Sequence, residues 1–308
     1  MQAGQRSERS KPAIAQPFLS CGETLKMNAH IGINSMAQKY TKTVVGIGGY
    51  STVYAISPVQ IVKVYNTSKG RITSSIIPAT SLKEINAYEH LKRCPYVLKY
   101  DGVDMQYEYM CPMKCGIIIE RGTSTLSCEM VILTEPEIRK VICELVLAIY
   151  YMHEIAHCAH MDLSSGNVMR MQDGSVKIAD FGNCLANPLD WIGGSMYKKD
   201  IIEFGCVTLW YRPPELLCAD LLPRDLDARV VDIWSLGVIF GELLGDKCQG
   251  SFIRSSSEKE METHFNKIPC KLQMIQNRHG ESTATLLRGM LARDTKSRLN
   301  IVQMISPS

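Results

Sequence analysis

Residues 160–182 read HMDLSSGNVMRMQDGSVKIADFG and contain the most informative spacing of polar residues in the chain. Asp162 and Asn167 stand five positions apart, and a second carboxylate, Asp180, follows Asp162 by eighteen positions. Asp180 begins the tripeptide Asp-Phe-Gly directly after the strand-like residues 176–179. A carboxylate and an amide on one loop, with a second carboxylate close by, can position a hydroxyl group and hold a magnesium ion. Each residue alone is equally typical of a turn, so the prediction depends on their order and spacing.

A glycine-rich turn lies upstream, between two strand-like runs. Residues 46–53 read GIGGYSTV and follow the run Thr-Val-Val. Glycines allow the backbone to approach phosphate oxygens with its N–H groups exposed. Because Gly-Gly between two strands is also common in ordinary hairpins, the turn alone leaves both interpretations open.

A lysine and a glutamate in the next two predicted elements favour the phosphate-binding interpretation. Lys63 is the single cation of the strand-like run 60–65, and Glu84 lies on a helix predicted over 81–91 from apolar residues at three-residue spacing. A lone lysine on a strand and a charged helix face usually contact solvent. The phosphate-binding role of Lys63 therefore depends on its pairing with Glu84.

Further helices are predicted over residues 135–152, 232–244 and 283–292. Pro136 stands at a plausible first-turn position of the first of these helices. The run Ser255–Glu260 is rich in serine and charged residues and is predicted to be a solvated loop. The pattern as a whole indicates a small strand-rich part followed by a larger helical part.

Taken together, these motifs resemble the eukaryotic-type protein kinases over roughly residues 40–308. The glycine loop matches at Gly46, Gly48 and Val53, with Ser51 in place of the third glycine. The other matching positions, in chain order, are Lys63, Glu84, Asp162, Asn167, Asp180, the activation-segment ending 211–215 (YRPPE), the helix 232–237 (DIWSLG) and Arg298. The resemblance implies an α+β bilobal fold, with a strand-rich N-lobe (40–121), a helical C-lobe (122–308) and a flexible extension (1–39).

The resemblance also implies ATP and Mg²⁺ as cofactors and a role for each matching residue. Asp162 would accept or orient the proton of the substrate hydroxyl, and Lys63, paired with Glu84, would contact the α and β phosphates. Asn167 and Asp180 would hold magnesium. The residues expected to contact the nucleotide are Val45, Gly46, Gly48, Gly49, Ser51, Val53, Lys63, Glu120 and Gly122. Arg298 is expected to be the buried ion partner of Glu215.

Two segments are similar to the cyclin-dependent kinases. Residues 208–217 read TLWYRPPELL, close to the activation-segment ending of that group, and residues 78–85 (PATSLKEI) match its cyclin-facing helix in length and at both ends. Thr208 stands where Ser/Thr kinases place a threonine near the catalytic aspartate. The similarity implies protein substrates with Ser or Thr before proline, and a cyclin-like activator.

Three features depart from the family pattern. Met161 replaces the arginine that clamps a phosphorylated activation loop, which predicts that this clamp is missing. Ser164 replaces a lysine that steadies the γ-phosphate, which predicts slower turnover. Only 66 positions separate Asp232 from Arg298, so the insert of the cyclin-dependent and mitogen-activated group is predicted to be absent or reduced. A pseudokinase that binds nucleotide as a scaffold or allosteric partner is the alternative, although pseudokinases commonly lose one of the catalytic residues that this chain retains.

Composition excludes several other classes of protein. The 308 residues include 34 Lys plus Arg against 31 Asp plus Glu, and a net charge of +3 is too small for an electrostatic nucleic-acid binder. The twelve cysteines are scattered without a CxxC pair, which predicts reduced thiols in an intracellular protein. The longest apolar stretches fall short of a bilayer span, and residues 1–39 lack a signal-peptide pattern. We expect no nucleic-acid partner, no membrane attachment and a cytoplasmic or nuclear location.

Overall fold

The computed structural model describes residues 43–47, 51–65, 79–108, 111–130, 133–186, 207–217, 227–245, 252–253 and 257–306. The fold of these residues is α+β, with a sheet-rich N-lobe and a helical C-lobe, which confirms the predicted class. The N-lobe strands are β1 (Val44–Ile47), β2 (Ser51–Ala55), β3 (Gln60–Tyr65), β4 (Tyr100–Glu108) and β5 (Cys111–Glu120). They form one antiparallel sheet in the order β1-β2-β3-β5-β4.

Strand β3 lies at the centre of this sheet, and its register determines which side chains share a face. Lys63 is paired with Val53 of β2 on one side and with Ile117 of β5 on the other. Because side chains alternate along a strand, Tyr65 projects from the same face as Lys63. Helix α1 (Ala79–Leu91) packs against the core through buried apolar residues, among them Ile85.

The C-lobe contains mostly helices and short strands. Its elements are β6 (Ser124–Thr125), α2 (Leu126–Glu129), α3 (Glu135–Tyr150), β7 (Cys158–Ala159), β8 (Val168–Arg170), β9 (Val176–Ile178), β10 (Leu185–Ala186), α4 (Arg229–Leu244), α5 (Glu258–His279), α6 (Glu281–Met290) and α7 (Ile301–Ile305). Every residue from 231 to 241 of α4 is buried, as expected for a helix that is apolar on nearly all sides. Helix α4 is therefore the centre on which the later helices pack, together with residues 160–167, which are called the catalytic loop after the resemblance given above.

Short irregular turns complete the C-lobe around this helix. A π-helical turn (Tyr151–Ile155) extends α3, and 3-10 turns cover Ser165–Asn167, Leu209–Tyr211 and Pro214–Leu216. None of the helices in the described ranges is long and apolar enough to cross a bilayer.

The predicted helices agree with the structure except near residue 257. The N-terminus of α3 has the predicted Pro136 in its first turn and a Glu137 side chain that accepts from the Thr134 backbone N–H at 2.9 Å. The prediction of a solvated loop over Ser255–Glu260 was wrong at its C-terminal end, because Ser257 is the N-cap residue of α5 and Glu258 begins that 22-residue helix. Helix α5 buries one narrow face and exposes charged residues elsewhere, so its first turn has the composition of a loop.

Candidate active site

Lys63 lies at the centre of a cluster that joins the sheet, helix α1 and the Asp-Phe-Gly segment. Its Nζ is 2.9 Å from Oε2 and 3.1 Å from Oε1 of Glu84, and 2.7 Å from Oδ1 of Asp180. The Glu84 side chain is fully buried, and that of Lys63 is 12% exposed. The structure thus brings together three of the predicted residues, from positions 63, 84 and 180.

The charges of this cluster stabilise one another against burial. Burial alone would lower the pKa of Lys63, but the nearby Glu84 and Asp180 outweigh it and raise that pKa above its usual value. Burial would raise the pKa of Asp180, but Lys63 holds it below its usual value. For Glu84 burial dominates and raises the pKa, against the opposing effects of Lys63 and a hydrogen bond from Tyr65. One cation therefore serves two carboxylates.

A column of four rings in consecutive contact connects the two lobes beside this cluster. Phe181 of the Asp-Phe-Gly segment packs edge-on against Tyr88 of α1, with ring centroids 4.9 Å apart. On its other side Phe181 contacts His160 at 5.0 Å, and Tyr88 stacks on Tyr100 of β4 at 5.8 Å. This column fixes α1, and with it Glu84, relative to the catalytic loop.

Asp162 is held by the end of the activation segment. The backbone N–H and the hydroxyl of Thr208 both donate to its Oδ1 at 2.8 Å, as expected from the position of this threonine in the sequence. Burial raises the pKa of Asp162, against the effects of these two hydrogen bonds and of His160. Because both bonds use Oδ1, Oδ2 stays able to accept a further hydrogen bond within the described part of the chain.

The catalytic loop is anchored below Asp162 by the buried carboxylate of Asp232 on α4. Its Oδ2 accepts from the His160 backbone N–H at 2.7 Å, and its Oδ1 accepts from the Met161 backbone N–H at 2.9 Å. His153 Nε2 lies 2.9 Å from Oδ2. Helix α4 thereby positions the loop from within the core.

Asn167 and Asp180 have the donor atoms that a magnesium ion prefers. The Asn167 amide nitrogen donates to the Asp162 carbonyl at 2.8 Å, which leaves its Oδ1 as an acceptor. Carboxylate and amide oxygens suit magnesium, which usually takes one or two protein ligands and completes its shell with phosphate and water. The described residues contain no group of three His, Cys, Asp or Glu able to hold a metal by themselves. The residues present therefore fit a magnesium ion that is bound together with a nucleotide.

The predicted nucleotide-binding residues lie along the N-lobe sheet and at its end. Val45 and Gly46 lie on β1, and Ser51 and Val53 on β2, with Gly46 opposite Val53. The predictions for Gly48 and Gly49 fall outside the described residues.

Glu120 and Gly122 stand at the passage from β5 into the C-lobe. The Glu120 carboxylate accepts from Lys177 Nζ at 2.7 Å and from the Lys99 backbone N–H at 3.1 Å, so this side chain ties the passage to β9 and to the residue before β4. A Cβ added at Gly122 would lie 2.9 Å from the side chain of Met169. Glycine therefore allows this segment to approach β8 closely.

Met161, where the arginine clamp is predicted to be missing, packs inside the protein. Its side chain is only 1% exposed and belongs to an apolar cluster with Val207, Leu216 and Val231. An apolar thioether in such a cluster offers no cation to a phosphate.

Sequence reasoning missed a hydrogen-bonded group beneath the catalytic loop. The Tyr211 hydroxyl donates to Glu242 Oε2 of α4 at 2.9 Å and lies 2.5 Å from the Ser165 hydroxyl. Burial raises the pKa of Glu242 to about 7. The only sequence signal for this group was Glu242, a charged residue near the C-terminal end of the mostly apolar helix α4.

The titration of Glu242 should be visible in the pH dependence of stability. Its raised pKa means that the folded state holds this proton more tightly than the unfolded chain, where glutamate titrates near 4.5. The contribution of Glu242 to the free energy of unfolding is therefore fully present below about pH 4.5, and it is lost as pH rises through about 7. We measure the free energy of unfolding in urea for Glu242→Gln and for the unsubstituted protein. The difference between them should shift by about 2 kcal/mol in favour of Glu242→Gln when the pH is raised from 5 to 8.

The matched control for this measurement is Glu281→Gln, at an exposed position on α6. It should follow the unsubstituted protein at both pH values. Parallel pH dependences for Glu242→Gln and the unsubstituted protein would contradict the assignment.

Comparison with known proteins places this geometry in context. The model of the family described as protein kinase domain matches residues 40–307. Cyclin-dependent kinase C-2 of Arabidopsis thaliana is 27% identical over 227 residues, which cover 66% of this chain and 40% of that protein. Mitogen-activated protein kinase spm1 of Cytospora mali is 28% identical over 227 residues (68% of this chain, 49% of that protein). Cyclin-dependent kinase 11 of Dictyostelium discoideum is 33% identical over 184 residues (57% and 46%). The matched region spans about half or less of each relative's length.

Proposed function

Because the chain belongs to the protein kinase domain family, we propose that it transfers the γ-phosphoryl group of ATP to serine or threonine hydroxyls of protein substrates. The observation that most directly supports this proposal is the simultaneous contact of Lys63 with Glu84 and Asp180. In this arrangement the lysine, its orienting glutamate and a candidate magnesium ligand lie within hydrogen-bond distance. Its relatives include cyclin-dependent and mitogen-activated protein kinases.

In the proposed reaction the side chains position groups and neutralise charge. Lys63 binds phosphate oxygens while Glu84 keeps its ammonium group oriented, and Asn167 and Asp180 would hold the magnesium ion, which neutralises charge on the phosphates. Asp162 orients the substrate hydroxyl and takes up its proton. Little covalent help is needed because phosphoryl transfer depends mostly on alignment and electrostatic stabilisation.

The proposed preference for serine and threonine before proline rests on the segment that follows Thr208. Thr208 itself contacts Asp162, at the place where the acceptor hydroxyl would approach. The Arg212 guanidinium donates twice to the Val207 carbonyl, at 3.0 and 2.8 Å, and so fixes the turn between these residues. We propose that this ordered turn forms one wall of the pocket for the residue after the acceptor.

A cyclin-like activator and a cytoplasmic or nuclear location remain predictions. The activator is suggested by the relatives that are named cyclin-dependent kinases. The location is suggested by the thiols, since seven cysteines of the described ranges form no disulfide.

The test is magnesium-dependent transfer from γ-³²P-ATP to matched peptides that carry serine, threonine or tyrosine, each with proline or alanine in the next position. We expect incorporation into the serine and threonine peptides, preferentially those with proline, and loss of incorporation with EDTA. The assay is run with and without recombinant cyclins, so that a cyclin requirement is detected directly. Transfer to tyrosine alone, or no transfer in either arm, would contradict the proposed activity.

A further inference from the structure

Tyr65 contacts both members of the Lys63–Glu84 pair. It lies two residues after Lys63 on β3, so both side chains project from the same face. Its hydroxyl donates to Glu84 Oε2, and Lys63 Nζ lies 5.6 Å from the centroid of its ring. The Tyr65 side chain is only 4% exposed, so water does not replace these contacts.

The hydroxyl of Tyr65 can act only as a donor to this carboxylate at neutral pH. Burial, followed by the negative charge of Glu84, raises the pKa of Tyr65 above its usual value, which keeps the phenol protonated. A buried carboxylate is costly unless charge and hydrogen bonds compensate it. Tyr65 therefore supplies Glu84 with a donor that carries no charge of its own and has no second carboxylate to serve.

Lys63 cannot by itself donate to Glu84 at every stage of the proposed reaction. Its ammonium group is shared between Glu84 and Asp180, and in the proposed reaction it also binds phosphate oxygens. Each time Lys63 shifts toward a phosphate, Glu84 depends more on Tyr65, its other hydrogen-bond donor among the described residues. That donor comes from β3, the strand that also holds Lys63.

The other groups around Glu84 do not replace this contact. Asp180 is negatively charged, and the buried Tyr88 of α1 and Cys115 of β5 are neighbours that interact with Glu84 through its charge. The exposed face of α1 carries charged residues, among them Lys83 and Glu89. In the described residues, α1 is thus held by contacts on its inner side.

We propose that Tyr65 is a positioning residue that keeps Glu84, and with it α1, aligned with Lys63 through the whole reaction cycle. This role rests on the proposed kinase function. Tyr65 does not touch the reacting atoms and acts through Glu84. The Tyr65→Phe substitution retains the ring and its packing and removes only the hydroxyl donor.

The test compares Tyr65→Phe with Tyr54→Phe, a matched control on β2 of the same sheet whose residue packs in a separate small apolar cluster. For Tyr65→Phe we expect kcat/KM for ATP to fall about 10- to 100-fold, as for loss of a hydrogen bond to a charged group. Without the donor the pKa of Glu84 rises further, so the acid limb of the kcat/KM profile should move to higher pH. Tyr54→Phe should leave both quantities unchanged.

Hydrogen exchange of the amides in 79–91 provides a readout that does not require activity. Tyr65→Phe should exchange faster than the unsubstituted protein in this helix, while Tyr54→Phe should not. If the unsubstituted protein transfers no phosphate and this difference remains, the proposed function fails and the positioning role stands. If the unsubstituted protein is active, the inference is overturned when Tyr65→Phe changes neither the exchange, nor kcat/KM, nor the acid limb. If it is inactive, unchanged exchange alone overturns the inference.

Discussion

Replacement of Asp162 by asparagine is expected to lower the rate of phosphoryl transfer by about 10²- to 10⁴-fold, the usual contribution of a positioned acid–base group. Asparagine has nearly the same shape and retains an oxygen that can accept from Thr208 N–H and Oγ1. Its amide cannot take up a proton from the substrate hydroxyl. The loop, anchored separately by Asp232, should keep its conformation, so ATP binding should persist.

Asp173→Asn is the matched control, since it makes the same chemical change on the exposed turn between β8 and β9. Initial rates are measured by magnesium-dependent transfer of ³²P to serine and threonine peptides, and ATP binding by thermal shift. Asp173→Asn should retain the full rate. An equal rate for Asp162→Asn would show that Asp162 is not the base, whereas ATP binding without transfer in every protein would favour the pseudokinase alternative.

The polar residues of the site could be predicted because their spacing along the chain is itself the signal. Asp162, Asn167 and Asp180 lie within nineteen residues, on the two sides of the β8–β9 hairpin, so local sequence determines most of their arrangement. Thr208 was also expected near Asp162, since the segment it begins matched a known pattern. The prediction of its neighbourhood is confirmed by two hydrogen bonds of 2.8 Å.

Contacts between distant elements carry no such local signal. The bond from Lys63 to Asp180 joins residues 117 positions apart, and no pattern in either segment indicates that one ammonium group serves two carboxylates. Tyr65 fits the alternating pattern of its strand as any residue there would. The hydrogen bond from its hydroxyl to Glu84 therefore follows only from how α1 packs on the sheet. Glu242 is similar, because its partners Tyr211 and Ser165 come from two other segments.

The error near residue 257 has a different physical cause. The apolar residues of α5, such as Met261, Phe265 and Leu272, recur at helical spacing and are buried, whereas its first turn is charged. A composition-based reading of six residues detects the charge and misses a period that extends over 22 residues. Pro269 within the helix weakens that pattern further.

The second large effect is expected for Arg298→Ala, which should lower the free energy of unfolding by about 3–5 kcal/mol. The Arg298 guanidinium donates to Glu215 through both terminal nitrogens, at 2.6 and 2.9 Å, as predicted from the sequence. The two side chains are 0% and 3% exposed. Removing Arg298 leaves the Glu215 charge buried without its partner, and also removes donors to the carbonyls of Val230 and Ala292.

Arg293→Ala is the matched control, because its ion pair with Glu262 has a similar distance of 2.7 Å but is 49% and 58% exposed. Urea unfolding should show a loss of no more than about 1 kcal/mol for this variant, since water already solvates both charges. A double variant, Arg298→Met with Glu215→Leu, should recover part of the loss, because no unpaired charge remains. Equal losses for Arg298→Ala and Arg293→Ala would contradict the role given to burial.

Loss of the Arg298–Glu215 ion pair should also lower the rate of phosphoryl transfer, at temperatures where Arg298→Ala is still folded. Glu215 lies in the turn Pro214–Leu216, a few residues after Thr208, and both belong to the segment that holds Asp162. When Arg298 no longer fixes that turn, the segment around Thr208 is less rigid. Thr208 then holds the carboxylate of Asp162 less precisely. We therefore expect Arg298→Ala to lower kcat while KM for ATP, which depends on Lys63 and the N-lobe, changes little.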